Sequence, residues 1–162
     1  MLAHDGARRV TKPPVRPPES LSPRPRDTVT HLRPRFAETD QMGVVHHSVY
    51  PVWFEAGRVE WMRERGLSYR EMEESGLSLA VSRLEVVYRS AAYFDDQVAV
   101  VSTLTDARSR RVAFAYRLVR MPDGALVATG TTEHVPTDRT GRAVRLPERW
   151  LRSLTELPKE GA

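Results

Sequence analysis

The sequence predicts an α+β fold in which one long helix lies across a curved antiparallel sheet of about five strands. Three observations carry that expectation. One apolar stripe of helical period runs through residues 50–61, and it is the one long pattern of that kind. After Gly76 the period changes from 3.6 to 2 and persists through four successive strands. Short turns join those strands, so neighbours run antiparallel and the helix must cover a face of their sheet.

In chain order, Thr28 to Phe36 reads as a short strand that ends near Pro34. A polar turn, Ala37 to Gly43, leads into Val44-Val45-His46-His47-Ser48. Tyr50, Trp53, Phe54, Gly57 and Trp61 then form the helical stripe, with Glu55, Arg58, Arg63 and Arg65 largely off it. Ser48 is the expected N-cap, Pro51 is tolerated in the first turn, and Gly66 is the expected residue just past the helix. Gly57 in mid-helix costs about 0.5–1 kcal/mol relative to alanine, which points to close backbone packing on something flat. The capping box Ser68-x-x-Glu71 opens a short second helix that Gly76 stops.

Leu84, Val86 and Tyr88 alternate with charged residues, the pattern of a half-buried strand. Leu79 and Val81 are out of phase with that set, which predicts a bulge near Ser82. Val98, Val100 and Leu104 mark the next strand, and Val112, Phe114, Tyr116 and Leu118 another. Pro122-Asp123-Gly124 is a turn, Leu126 to Val135 the last long strand, and Pro147 to Leu157 a closing helix.

A chain of 162 residues is the size of one domain and needs no staples to hold a core. The absence of cysteine excludes a disulfide scaffold, a thiolate metal site and a cysteine nucleophile. No apolar run approaches the roughly 18 residues of a membrane span, and no secretory segment is visible. A cytoplasmic protein with no membrane partner is the expectation. The net charge of +4 is carried by residues 1–26, which hold six basic and two acidic residues; the remainder has 19 of each. Six of the 12 prolines and no aromatic residue lie in that segment. Residues 1–27 are therefore expected to be a disordered Pro/Arg-rich tail, dispensable for catalysis, and 28–157 the folded domain. Without stacking aromatics or a dense basic run, no nucleic-acid partner is expected.

The chemistry is concentrated in Glu38-Thr39-Asp40-Gln41-Met42-Gly43-Val44-Val45-His46-His47-Ser48-Val49-Tyr50. A carboxylate stands a few residues before a helix N-terminus, whose free N–H groups and partial positive charge suit a developing oxyanion. Gly43 lets a ligand approach the backbone. A carboxylate beside an oxyanion site suits hydrolysis of an activated acyl group. A thioester fits well, because a thiol of pKa about 8.5 leaves without a strong general acid. An Asp in such a turn is otherwise a cap or turn former, and the aromatic stripe is core. Asp40, His46, His47, Glu55 and His134 show no metal-ligand spacing, so no metal is expected.

These residues, with Trp53-Phe54-Glu55 and Arg58, resemble the signature of the hotdog-fold acyl-CoA thioesterases, and most closely the 4-hydroxybenzoyl-CoA thioesterase-like branch. The similarity continues through Tyr88-Arg89-Ser90-Ala91 and Asp95-Asp96 to Arg145-Leu146-Pro147-Glu148, about residues 28–150. It implies a helix wrapped by a sheet, and an enzyme that releases a carboxylic acid and coenzyme A with no cofactor, coenzyme A being part of the substrate. On this resemblance Asp40 is nucleophile or general base, the His47 N–H polarises the thioester carbonyl, and Tyr50 is the aromatic residue at the helix start. Gly43, Val44 and His46 line the substrate, and Arg110 and Arg111 meet the coenzyme A phosphates. Two positions depart from the pattern: Val49 replaces a common Asn, and His46 a common aromatic. The resemblance also implies a homodimer or homotetramer whose sheets join edge to edge; coenzyme A and an acyl-carrier protein are alternative carriers of the acyl group, and the sequence does not choose between them.

Two rival readings share this fold. An enoyl-thioester hydratase carries an Asp and a His five positions apart, whereas Asp40 precedes His46 and His47 by six and seven. A non-catalytic acyl-CoA or acyl-carrier binding protein has no use for a carboxylate beside an electron-rich carbonyl. Asp40 therefore favours hydrolysis.

Overall fold

Two glycines decide how closely the long helix meets the sheet in the computed structural model, which describes residues 23–156. Helix α1, Tyr50–Glu64, turns Gly57 onto the sheet, where an added Cβ would lie 2.4 Å from Ser102 Oγ and 2.9 Å from Val100 Cγ1. Gly130 answers from the sheet side. Its position would put a Cβ 2.3 Å from the ring of Phe54, which stacks on Tyr116 with centroids 4.4 Å apart. Gly57 thus does what its place in mid-helix implies: it brings the helix backbone down onto the strands.

The sheet has the strands β1 (Asp27–Leu32), β2 (Ser78–Tyr88), β3 (Gln97–Arg108), β4 (Arg111–Met121) and β5 (Leu126–Thr137). Their spatial order is β1-β3-β4-β5-β2, and every pairing is antiparallel. Helix α2, Tyr69–Glu74, opens with Ser68 Oγ accepting from the Glu71 N–H at 3.1 Å, the cap the sequence announced. Helix α3, Glu148–Thr155, closes the described chain; Leu157 of the expected helix lies outside the described residues. Tyr50, Trp53, Phe54, Trp61 and Met62 from α1 meet Val98, Val100, Phe114, Tyr116 and Leu118 in one apolar core. Gly66, with φ 69°, follows α1, and the β2 register shifts between Val81 and Arg83, both as the pattern required. No described helix is long and apolar enough to cross a membrane.

Four expectations need correction. Ser48 is not the N-cap of α1. A 3-10 turn, His47–Val49, precedes the helix, and the His46 ring caps that turn, Nδ1 accepting from the Ser48 N–H at 3.3 Å. Arg58 is buried, because the helical period carries it over β4 and β5 beside the Phe54 face. The β2 residues Leu84 and Tyr88 are not buried within one chain, since β2 is an edge strand. Nor does the tail extend to residue 27. Asp27 begins β1, and the Arg26 carbonyl accepts from Trp61 Nε1 at 2.8 Å and Arg65 Nη2 at 3.0 Å. Composition missed this because backbone groups made the anchor, and any residue can supply those. The tail assignment for residues 1–22 lies outside the described residues.

Arg58 shares its buried surroundings with a short polar chain. Tyr116 Oη and Thr132 Oγ1 lie 2.8 Å apart, and Thr132 Oγ1 is 2.8 Å from His134 Nε2. Burial, and then the nearby guanidinium of Arg58, push the His134 pKa down to about 4. The imidazole is consequently neutral in the folded state at neutral pH.

Two outcomes follow for stability. A chain starting at residue 28 should be less stable than one starting at residue 23 by roughly 1–3 kcal/mol, read as a lower Tm, because it lacks Arg26 and Asp27. Equal melting temperatures would show that these contacts contribute nothing. For His134, the unfolded chain binds the proton more tightly than the folded one, so stability falls as pH drops. The loss runs from pH 6.5 towards about 4, at up to about 1.4 kcal/mol per pH unit. Denaturant titrations of His134→Gln should lack this part of the slope between pH 6.5 and 5.

Candidate active site

The segment between β1 and α1 folds into a small closed loop. The Asp40 N–H donates to the Val44 carbonyl and the Gly43 N–H to the Asp40 carbonyl, both at 2.9 Å. Gly43 sits at φ 74°, a left-handed conformation that glycine takes without strain. The loop is tied down at both ends. Val45 N–H donates to Ala92 O at 2.8 Å and His46 N–H to Glu38 O at 2.9 Å. Asp40 is held from within: its Oδ1 accepts from the Met42 N–H at 2.8 Å. Its Oδ2 has no hydrogen-bond partner among the described residues.

A cleft of about 320 Å³ opens here, with Asp40, Met42 and Val44 on one wall, His47 and Tyr50 at the helix start, and Tyr88 to Ala91 opposite. The main chain at the helix start supplies donors. The His46 carbonyl accepts from the Val49 N–H at 3.0 Å, while the His47 N–H, first in its turn, donates to no described group. The positive end of α1 adds to the field there. Burial lifts the Tyr50 hydroxyl above the usual phenol range, and the neighbouring Tyr88 adds to the shift. Tyr50 and Tyr88 meet edge to face, centroids 5.0 Å apart. The Tyr88 hydroxyl donates to the His47 carbonyl at 2.7 Å.

Of the residues singled out from sequence, Asp40, Val44, His47 and Tyr50 come together on this cleft. Gly43 and His46 do not line it: Gly43 closes the loop behind Asp40, and the His46 ring is occupied with its cap and with the His47 ring 4.1 Å away. Arg110 and Arg111 lie at the β3–β4 hairpin, the opposite end of the sheet. Seven residues of β4 separate Arg111 from Leu118, which is level with Tyr88 through Ala128, roughly 23 Å of strand. Arg111 is engaged there with Glu133 at 2.9 Å and Asp106 at 3.1 Å. Within one chain these arginines are therefore not part of the Asp40 cleft.

Of the lining residues not singled out from sequence, two carry polar chemistry of their own. Arg89 brings an exposed cation to the wall, and Tyr88 brings its hydroxyl. They fell within the stretch that resembles the family but were given no role; the signal available was that β2 ends there, beside the helix start. A larger recess of about 480 Å³ lies between α1 and α2, around Val59, Leu67 and Tyr69, away from Asp40. No group of three or more His, Asp or Glu among the described residues could hold a metal ion.

The cleft can hold an acyl carbonyl between the Asp40 Oδ2 and the His47 N–H, neither of which has a partner among the described residues, with Arg89 on its wall. Comparison with known proteins bears on that chemistry. Residues 34–154 match the thioesterase-like superfamily. YneP of Bacillus subtilis, named provisionally as an acyl-CoA thioesterase, is 30% identical over 105 residues, covering 65% of this chain and 75% of its own. The crystal structure of the hypothetical protein TT1821 from Thermus thermophilus is 43% identical with a TM-score of 0.75, covering 80% of this chain and 98% of that one. The DHNA-CoA thioesterase from Staphylococcus aureus is 30% identical with a TM-score of 0.76, covering 78% of this chain and 87% of that one.

Proposed function

The chain belongs to the thioesterase-like superfamily, and from that premise we propose that Asp40 drives its hydrolysis of acyl-CoA thioesters. It is a hotdog-fold acyl-CoA thioester hydrolase, as named relatives and solved thioesterases of the same fold support. What carries the role of Asp40 is one juxtaposition: its Oδ2 shares a cleft with the N–H of His47, and neither has a partner among the described residues.

The reaction follows from that pair. Asp40 takes a proton from water, and the water oxygen adds to the thioester carbon. The carbonyl electron pair moves to oxygen, where the His47 N–H and the positive end of α1 hold the charge. Collapse restores the carbonyl and breaks the carbon–sulfur bond. Coenzyme A leaves as a thiolate and recovers a proton from Asp40 or solvent, so no strong acid is needed. Direct attack by Oδ2 gives the same products through an anhydride that water opens. Neither route uses a cofactor. Arg89 is the basic group this chain brings to the anionic coenzyme A. An acyl-carrier protein presents the same thioester and is the alternative donor. A cytoplasmic location remains the expectation from composition.

The enzyme in this reading is a homodimer, or a tetramer built from one. Support comes from β2, an edge strand of 11 residues with Val81 56%, Leu84 45%, Val87 37% and Tyr88 47% exposed. An open strand edge with exposed apolar side chains is a ready pairing surface. Strand β3 also places apolar side chains on both faces, Val98 and Val100 on one and Val101 on the other, but supplies no such argument. It is interior, and its Ala99 and Val101 are packed with Val119, Val29 and Met121.

Asp40→Asn keeps the shape and removes the basic oxygen. Its kcat for acyl-CoA hydrolysis should fall by roughly 10²–10⁴, with a smaller change in KM. Turnover of the purified variant at the wild-type rate would end the assignment. Light scattering at micromolar concentration should give at least twice the 18.4 kDa chain mass. A fully active monomer would refute the dimer.

A further inference from the structure

We propose that Tyr88 is a positioning residue of this site: its hydroxyl supplies the hydrogen bond that Pro51 withholds from the His47 carbonyl, and so fixes the helix-start N–H groups on the substrate oxygen. The inference rests on the hydrolytic reading of the cleft and concerns a residue outside the Asp40 loop.

The His47 carbonyl lacks one of two donors. Its 3-10 turn offers it the Tyr50 N–H, three residues on, but the α-helical partner four residues on would be Pro51, which has no N–H. Val49 at φ −77°, ψ −31° and Tyr50 at φ −57°, ψ −42° already have helical backbone, so an N–H at residue 51 would be aimed at that carbonyl. In its place the Tyr88 hydroxyl arrives from the end of β2 and donates at 2.7 Å.

The residue is built to hold that bond. Its ring is fixed edge to face on Tyr50, centroids 5.0 Å apart, at 90°. Burial raises the Tyr88 pKa, so the hydroxyl keeps the proton it donates. The carbonyl it grips belongs to His47, whose own N–H donates to no described residue, and the same peptide carries the Ser48 N–H, held by a 3.3 Å contact to His46 Nδ1. Tyr88 therefore ties the short 3-10 turn to the sheet at the place where the donors must stay still. Both Tyr88 and His47 line the cleft with Asp40.

The test uses the missing donor itself. Tyr88→Phe keeps the ring and removes the bond. We expect kcat to fall roughly tenfold, with KM changed less than about twofold. Pro51→Ala returns an N–H to residue 51. It should be near wild type alone, and in Pro51→Ala/Tyr88→Phe it should restore most of the lost kcat. A trifluoromethyl ketone analogue of acyl-CoA, whose hydrate carries an oxyanion, should bind Tyr88→Phe about tenfold more weakly. A thioether analogue with no carbonyl should bind all variants alike.

A wild-type kcat for Tyr88→Phe overturns the proposal, as does a double variant as slow as Tyr88→Phe or equal weakening of both analogues. If Tyr88→Phe fails to fold, the double variant is compared with Pro51→Ala, and a tenfold deficit there overturns it. Asp40→Asn is assayed alongside. Should it be fully active while the Tyr88 series behaves as expected, the role of Asp40 falls and that of Tyr88 stands.

Discussion

The height of α1 above the sheet is the constraint on which the rest of the molecule depends, and two missing side chains set it. Gly57 and Gly130 each stand where a Cβ would overlap a neighbour, against Ser102 and Val100 in one case and the Phe54 ring in the other. Because Phe54 can lie flat on Gly130 and Tyr116, the helix is seated by a stacked aromatic pair rather than by interlocking aliphatic chains. Interiors this dense do not deform continuously, so the start of α1 inherits its position from contacts one and two turns further along the helix. The active cleft is built at that end.

Seating the helix also fixes what the cleft can do. The loop that presents Asp40 is bound to the β2–β3 connection through Ala92 and to the preceding turn through Glu38, and the helix start is bound to β2 through Tyr88. A carboxylate and a set of donors are thus attached to separate parts of one framework. Each half is weak in isolation, since a turn aspartate is ordinarily structural and a helix start ordinarily meets water. Held at a common cleft, they stand where the proposed hydrolysis needs a base and charge stabilisation, without either having to move during reaction.

How much of this could be read from the sequence follows from the range of the interactions. The helix stripe, the bulge near Ser82, the Ser68 cap and the Asp40 loop are local, and side-chain period or turn chemistry announces them. What escaped depends on partners distant along the chain. Arg58 stands largely off the apolar stripe in the sequence, yet it is buried against residues more than fifty positions away. Arg110 and Arg111 carry the right charge, but strand register within one chain puts them at the end of the sheet away from Asp40. Arg26 gives a backbone carbonyl to Trp61, a contact that no composition encodes. Tyr88 lay within the recognisable pattern, but its role required the strand order that brings the end of β2 to the helix start.

Burial of Arg58 also says something about the side of α1 that faces β5. Beside it lie Tyr116, Thr132 and a neutral His134, and no carboxylate forms an ion pair with it among the described residues. A guanidinium so enclosed is costly unless hydrogen bonds satisfy it. An apolar residue of similar length would pack there at less cost, so the polar group is unexplained by stability alone. Its effect on the fold is orientational. Phe54 and Arg58 are one turn apart on the same face, so the helix can rotate or slide only by moving an aromatic ring off Gly130 or a charge into the apolar core. Each alternative seating of α1 is penalised by a different physical term, steric for the ring and electrostatic for the guanidinium. The combination specifies a single register for the helix, and therefore a single place for the donors at its start.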